Sequence, residues 1–311
     1  MNPSDRLLSV GGQASYTIQQ IKMMMGLGNH CGVDYYVDGN VSATGQGNSW
    51  ESPFSTLSEA LAASHAEIAV TASRHWARRN TIWVVGDAIT EDLVALAQKT
   101  DIIGCGSYDS FAGMAGLIGN HVPVNAASGV RFFNMQFRGD ADGGDMWTLS
   151  GTYSHGIEFH NCQFHADGGT AATAGIISTA VRWLQVQNCR FEGAFSDAVI
   201  EFGAGNASGA MIKNNYIQGA NNGIDVASTT TMTPQIGYIE GNRFHVAGII
   251  VNDDSDKFMV CDNIGYSAVA TTTAATLVEV MDTNVKLSFN NYVSAGDITN
   301  CRYPVMDETG T

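Results

Sequence analysis

The sequence predicts an all-β chain wound as a single-domain parallel β-helix, and three observations carry that prediction. Asn134-Met135-Gln136-Phe137, Asn161-Cys162-Gln163-Phe164 and Asn188-Cys189-Arg190-Phe191 recur at intervals of 27 residues. A short alternating run precedes each Asn: Ile157-Glu158-Phe159-His160, Leu184-Gln185-Val186-Gln187 and Ala210-Met211-Ile212-Lys213. A second apolar run follows each Phe and its Gly-rich turn, as in Met146–Leu149, Gly175–Ile177, Ala198–Ile200, Gly223–Val226, Gly248–Val251 and Leu277–Val280. A fixed period of this length marks one supersecondary unit stacked repeatedly on itself. Period-2 alternation makes the unit a strand with one buried face, and no helical pattern fits between the runs.

The aromatic position continues through Ile217 and Phe244, with looser echoes at Ile264 and Val293, so the array runs almost to the C-terminus. At roughly 25 residues a coil, the length from residue 80 to 300 corresponds to about eight or nine coils. Stacking equivalent residues about 4.8 Å apart turns like side chains into ladders. Asn134, Asn161 and Asn188 are expected to bond amide to amide. Phe137, Phe164, Phe191, Ile217 and Phe244 are expected to fill the interior. Cys162 and Cys189 share the Met135 position and read as free, core-filling thiols.

Composition fits tight corners between strands whose N–H groups must donate: 35 glycines against five prolines. Charged residues make up only 14 %, yet the balance is −15, which repels phosphate backbones and argues against nucleic-acid binding. Neither a secretory apolar segment nor a membrane-length run is present. His30, His155, His160 and His165 lack metal-ligand spacing, and no metal site is expected from them.

Before the array, Thr56-Leu57-Ser58-Glu59 is a capping box, so a helix is expected to begin near Leu57. Leu57, Leu61 and Ile68 give it an apolar side, and Arg74, Arg78 and Arg79 suit the negative end of its dipole. Laid across the open end of a solenoid, such a helix covers bare core and unpaired edges. Thr81–Val85 and Asp101–Gly104 follow as the first strands. The organisation expected is an N-terminal docking or assembly arm (1–33), a first strand and capping helix (34–80), the β-helix (81–300) and a C-terminal tail (301–311). In the arm, Ile18, Ile21 and Met25 form one helical face suited to assembly.

The segment Asp34-Tyr35-Tyr36-Val37-Asp38-Gly39, followed by Gly45, Gly47, Trp50 and Pro53-Phe54-Ser55-Thr56-Leu57, resembles the N-terminal lead-in of pectin-lyase-like right-handed parallel β-helix proteins. That resemblance implies a right-handed coil and leaves activity open, because such solenoids host lyases, hydrolases, adhesins and virion parts. Pectate lyases pair an acidic calcium site with an outward Arg, and Arg131, Arg182 and Arg190 do not obviously converge on an acidic turn here. The combination of arm, acidic surface and absent secretion signal resembles phage virion proteins, both tailspikes and capsid-surface proteins. The resemblance implies a homotrimer on the virion surface, contacts with capsid or tail proteins, and contact with cell-surface polysaccharide.

Outward columns are the place to look for function. Alternation turns Arg131, Glu158, Gln185 and Met211 into one column, with Arg131 and Glu158 as an ion pair. Phe133, His160, Gln187, Lys213 and Glu240 form the next. Phe133 and Tyr216 are candidate glycan-stacking aromatics. The turns after Phe137 and Phe164 place Asp140, Asp142 and Asp167 within reach of one another, with Glu192 and Asp197 on the next coil. Three roles fit them: solvated turn carboxylates, a Ca²⁺ site, or the carboxylate pair of a glycan-cleaving enzyme. The sequence favours a non-enzymatic virion decoration protein. The alternatives are a tailspike-type polysaccharide hydrolase or lyase, and a passive carbohydrate-binding module.

Overall fold

The structure is a computed structural model that describes residues 32–70, 78–86, 88–106, 113–140, 143–152, 154–166, 172–219, 221–233, 235–255, 257–267, 278–280, 287–289 and 292–293. The arm residues Ile18, Ile21 and Met25, the turn carboxylates Asp142 and Asp167, Arg74 and the C-terminal tail lie outside the described residues.

The chain is an all-β parallel solenoid. Three parallel sheets build it: among the described residues, sheet A has ten strands, sheet B nine and sheet C, which starts at Trp147, six. Each coil passes through A, B and C in turn, so the repeat holds three strands where the sequence pattern marked two. The additional one is the Phe-bearing segment itself, Met135–Arg138, Gln163–Ala166 or Arg190–Gly193. Six consecutive coils enter all three sheets. The passes before Arg131 enter only A and B, so among the described residues six coils are complete where length suggests about eight or nine.

Register follows the 27-residue period. Phe137, Phe164, Phe191, Ile217 and Phe244 are direct Cα partners in sheet B. All five are buried, and Phe164 stacks on Phe191 with ring centroids 4.3 Å apart. Facing them across the lumen, Phe132 stacks on Phe159 at 5.2 Å, and Trp147 closes the cage against both.

The repeated Asn turns out to be a backbone device. Asn134, Asn161, Asn188, Asn214 and Asp262 all have φ between 54° and 56°, and Gly241, in the same column, has φ 68°. They sit at the corner from sheet A to sheet B, where the chain turns through the left-handed region that Asn, Asp and Gly tolerate best. The expected amide ladder is reduced to one link, Asn161 Nδ2 to Asn134 Oδ1 at 3.3 Å. The Asn134 amide donates to the Gly104 and Gly106 carbonyls.

The continuous amide ladder lies one residue later and points inward. Asn215 Nδ2 donates to Asn242 Oδ1 at 2.9 Å, Asn242 Nδ2 to Asn263 Oδ1 at 3.0 Å, and each amide also donates to a carbonyl of the preceding coil: Val186, Ile212 and Ile239. Each Oδ1 in turn accepts a backbone N–H that the corner leaves without a strand partner, including Cys189 N to Asn215 Oδ1 at 2.8 Å. Towards the N-terminus, sulfur takes over the column: Cys162 N donates to Cys189 Sγ at 3.4 Å, and both thiols are free and buried. Burial and the neighbouring Cys162 thiol push the Cys189 pKa well up, so it stays a neutral core group.

The helix spans Leu57–Val70 and starts as the capping box requires. Glu59 N donates to Thr56 Oγ1, and Thr56 N donates to the Glu59 carboxylate. A second carboxylate, Glu91, accepts from Leu57 N at 2.7 Å and Ser58 N at 3.0 Å, which satisfies two more orphan donors at the positive end of the dipole. Leu57, Ala60 and Leu61 join the solenoid core. Arg78 and Arg79 lie beyond the helix end and serve other partners, Glu67 and Asp101. The outer edge of the first strand, Asp34–Asp38, is covered by the segment returning through Gly47 and Phe54, which exchanges backbone bonds with Tyr36 and Asp38.

Candidate functional site

Sheet A presents the two expected outward columns in the expected register: Arg131, Glu158, Gln185 and Met211, then Phe133, His160, Gln187, Lys213 and Glu240. The Arg131–Glu158 ion pair is not what the side chains make. Arg131 Nε and Nη2 grip both oxygens of Asp101 at 2.7 Å, and Arg79 adds a third bond at 2.7 Å. Asp101 is fully buried and takes the guanidinium's hydrogen bonds, while the partly buried Glu158 attracts Arg131 at longer range and bonds His160 Nε2 at 2.8 Å. Register alone predicts neighbours; burial decides which neighbour wins.

Phe133 and Tyr216 lie on different sheets, A and B. The Phe133 ring is stacked on His160 at 5.0 Å, with the Arg131 guanidinium 5.5 Å from its centroid. The Tyr216 ring lies under Arg190 at 5.5 Å, and its hydroxyl donates to Gln218 at 3.3 Å. Both rings are partly buried by these contacts. Arg131, Arg182 and Arg190 are spread likewise. Arg131 serves Asp101, Arg190 bonds Glu192, and Arg182 lies over the Trp183 ring.

Asp140 closes a turn in which Gly143 N donates to its carbonyl at 3.1 Å. On the coil beyond, Glu192 is in register with His165 and Arg138, two residues short of the Asp140 position. The carboxylates that influence one another are on sheet C. Glu201 and Asp225 are direct Cα partners on adjacent coils and project outward, with Asn252 next in the column. Asp197 and Asp145 flank them. Burial, then Asp197, Asp225 and Asp145, push the Glu201 carboxyl above its ordinary range. Burial, followed by Asp254 and Asp197, does the same to Asp225, although Asn252 Nδ2 donates to it at 2.7 Å. Burial and Asp197 raise Asp145. Like charges one strand spacing apart, about 4.8 Å, each disfavour the other's ionisation.

This column was legible as Ile200-Glu201-Phe202 and Ile224-Asp225-Val226, apolar-acid-apolar triplets 24 residues apart. The shorter interval, two residues fewer between the Phe position and the acid and one fewer between Phe191 and Ile217, takes it out of the 27-residue frame. Chemically, a raised carboxyl beside an ionised one can donate a proton or share it. Among the described residues, no three His, Cys, Asp or Glu side chains are grouped closely enough to hold a metal ion. No helix among them is long and apolar enough to cross a membrane.

Comparisons of the chain with family models, with curated proteins and with solved structures gave no match. The fold and surface define the class, a parallel β-solenoid with an aromatic lumen and an acidic sheet, and function has to be argued from these residues.

Proposed function

We propose that the chain is a structural protein of a phage particle surface, a capsid-decoration or cement-like rod that assembles as a homotrimer and contacts glycans. The observation that carries this reading is the unbroken stack itself. Three sheets, an aromatic lumen and a buried Asn column make a stiff body with a net negative surface. A side-by-side contact is favoured by Val94, Val122 and Val124, exposed to 58 %, 41 % and 57 %, with Val124 N bonded to Val94 O on the neighbouring coil. Docking on the particle is assigned to the arm, residues 1–33. Sedimentation equilibrium should give three times the chain mass, and Val94→Lys with Val124→Lys should reduce it to the monomer. Removing residues 1–30 should abolish incorporation into particles, and normal incorporation would refute the docking role.

The sheet C carboxylates favour a second reading, polysaccharide hydrolysis with Glu201 as acid and Asp225 as its partner. They project from the same face of adjacent strands, whose backbones lie about 4.8 Å apart, so both carboxyl groups can address one glycosidic bond. Release of new reducing ends from host capsule or lipopolysaccharide, lost in both Glu201→Gln and Asp225→Asn, supports that reading. Absence of any release removes it.

A further inference from the structure

A second corner column runs where sheet C turns back to sheet A. Gly129, Gly156, Trp183 and Gly209 follow one another at 27, 27 and 26 residues, with φ of 67°, 59°, 57° and 71°. Their backbone bonds are equivalent: Gly129 N to His155 O, Gly156 N to Arg182 O and Trp183 N to Ser208 O, each reaching the residue just before the next member. The column demands a left-handed residue. Lys99 opens the same column, with φ 50° and its N–H bonded to Ser128 O; the coils after it supply glycine, glycine, tryptophan and glycine, and Trp183 sets the bulkiest side chain there is in a conformation that costs an L-residue about 1–2 kcal/mol.

The ring is held in place. Trp183 Nε1 donates to Gln235 Oε1 at 3.1 Å, two coils on, and the Arg182 guanidinium lies 5.5 Å from the ring centroid. Between them the indole crosses Gly209, where a Cβ would come within 2.5 Å of Trp183 Cδ1. Glycine at 209 thus lets the ring lie along the rod. The side chain remains 45 % exposed in spite of these contacts. A strained backbone that displays a fixed, flat, exposed aromatic gains nothing for the core.

We propose that Trp183 is the stacking platform of a saccharide-binding subsite, in which a pyranose ring lays its C–H face on the indole and directs hydroxyls to Arg182 and the exposed Gln235 amide. This rests on the glycan-contact part of the reading above and moves that contact from Phe133 and Tyr216 to Trp183. Neutral sugar fits better than other flat-ring ligands. Net charge −15 repels nucleotides, and Arg182 repels quaternary ammonium groups.

The test is titration calorimetry of the full chain with maltohexaose, isomaltohexaose, cellohexaose, chitohexaose and mannohexaose, alongside a single-stranded DNA hexamer. At least one hexaose should bind and the DNA should not. Trp183→Gly should weaken the bound hexaose at least about ten-fold, equivalent to about 1.4 kcal/mol, while Trp183→Tyr stays within about three-fold. Trp183→Gly should also leave the thermal midpoint unchanged or higher, because it restores the column's own residue. The proposal is overturned by no hexaose binding, by undiminished binding in Trp183→Gly, by DNA binding in place of sugar, or by a midpoint several degrees lower, which would make the ring a structural brace. A trimer that disperses in Trp183→Gly would likewise reassign the ring to assembly. Since calorimetry on the purified rod is independent of particle incorporation, failure here leaves the assembly role standing.

Discussion

His121 offers a direct measure of how dry the lumen is. It is fully buried, with its ring 4.6 Å from Trp147 and 5.9 Å from Phe137, and Nδ1 accepts the Leu93 N–H at 3.2 Å. That bond places the proton of the neutral ring on Nε2, which has no acceptor. Burial holds the imidazole down at about 3, against an ordinary 6.5. A depressed folded-state value means that the unfolded chain takes up a proton between these limits while the folded chain does not, so stability falls as pH drops through 6.5 towards 3. Over the full interval the loss is about 5 kcal/mol, and between pH 7 and pH 4.5 it is about 2.5 kcal/mol. The assay is urea unfolding of wild type and His121→Asn across that range. Asn offers an oxygen acceptor to Leu93 N–H and does not titrate. The difference in unfolding free energy between the two proteins should shift by about 2.5 kcal/mol in favour of the variant as pH falls to 4.5. His121→Phe, which fills the ring space, should shift likewise. A difference that stays flat to within about 0.5 kcal/mol would refute a dry, neutral imidazole.

Three further outcomes are expected. At the A-to-B corner, Asn188→Gly should be nearly neutral in thermal unfolding, whereas Asn188→Ala should cost about 1 kcal/mol; equal costs would mean that the amide matters more than φ. Asn242→Leu strands Asn215 N and the Ile212 carbonyl, removes one of the two bonds of the Asn215 amide and should cost about 3 kcal/mol in urea unfolding, with a loss below about 1 kcal/mol counting against the buried ladder. Glu201→Gln relieves repulsion with Asp197 and Asp225 and should stabilise by about 0.5 kcal/mol at pH 7. Because the folded-state value of Glu201 is raised, its contribution is complete below the ordinary 4.5 and lost as pH rises, so this gain should vanish below about pH 4.

The period, the strand alternation, the outward columns and the helix start were legible because each is a spacing, and spacing survives in one dimension. The job of the repeated Asn was not, because the same residue serves as an amide donor and as a left-handed corner. The distinguishing clue is Gly241 in that column, which offers φ tolerance and no amide. The inward ladder was masked by a change of element, from sulfur at Cys162 and Cys189 to amide at Asn215, Asn242 and Asn263, all serving the same backbone N–H. Register offers Arg131 both Asp101 and Glu158, and burial decides that Asp101 takes the hydrogen bonds while Glu158 acts at longer range. The acidic column falls outside a fixed 27-residue frame, whereas Asp140 and Asp167 share a place three residues past Phe137 and Phe164, and Asp142 and Asp167 lie outside the described residues.

In a solenoid every column is an alignment of the chain with itself, so a residue can be judged against neighbours that face the same backbone and the same environment. Departures then have a direction. Gly241 replaces Asn where φ is positive and where a Cβ would come 2.5 Å from Asn214 Oδ1, so that change lowers the local cost and needs no purpose beyond drift. Trp183 replaces glycine at the same kind of φ, and Asp225 follows Glu201 where Thr148 and Ile177 stand on earlier coils; both raise the local cost. Asn252 partly offsets the second by donating to Asp225. Both costly departures face outward, where packing cannot account for them. The Trp183 corner and the Glu201–Asp225 pair are therefore the positions at which the proposed binding and chemistry are tested, rather than any member of the Asn or Phe columns.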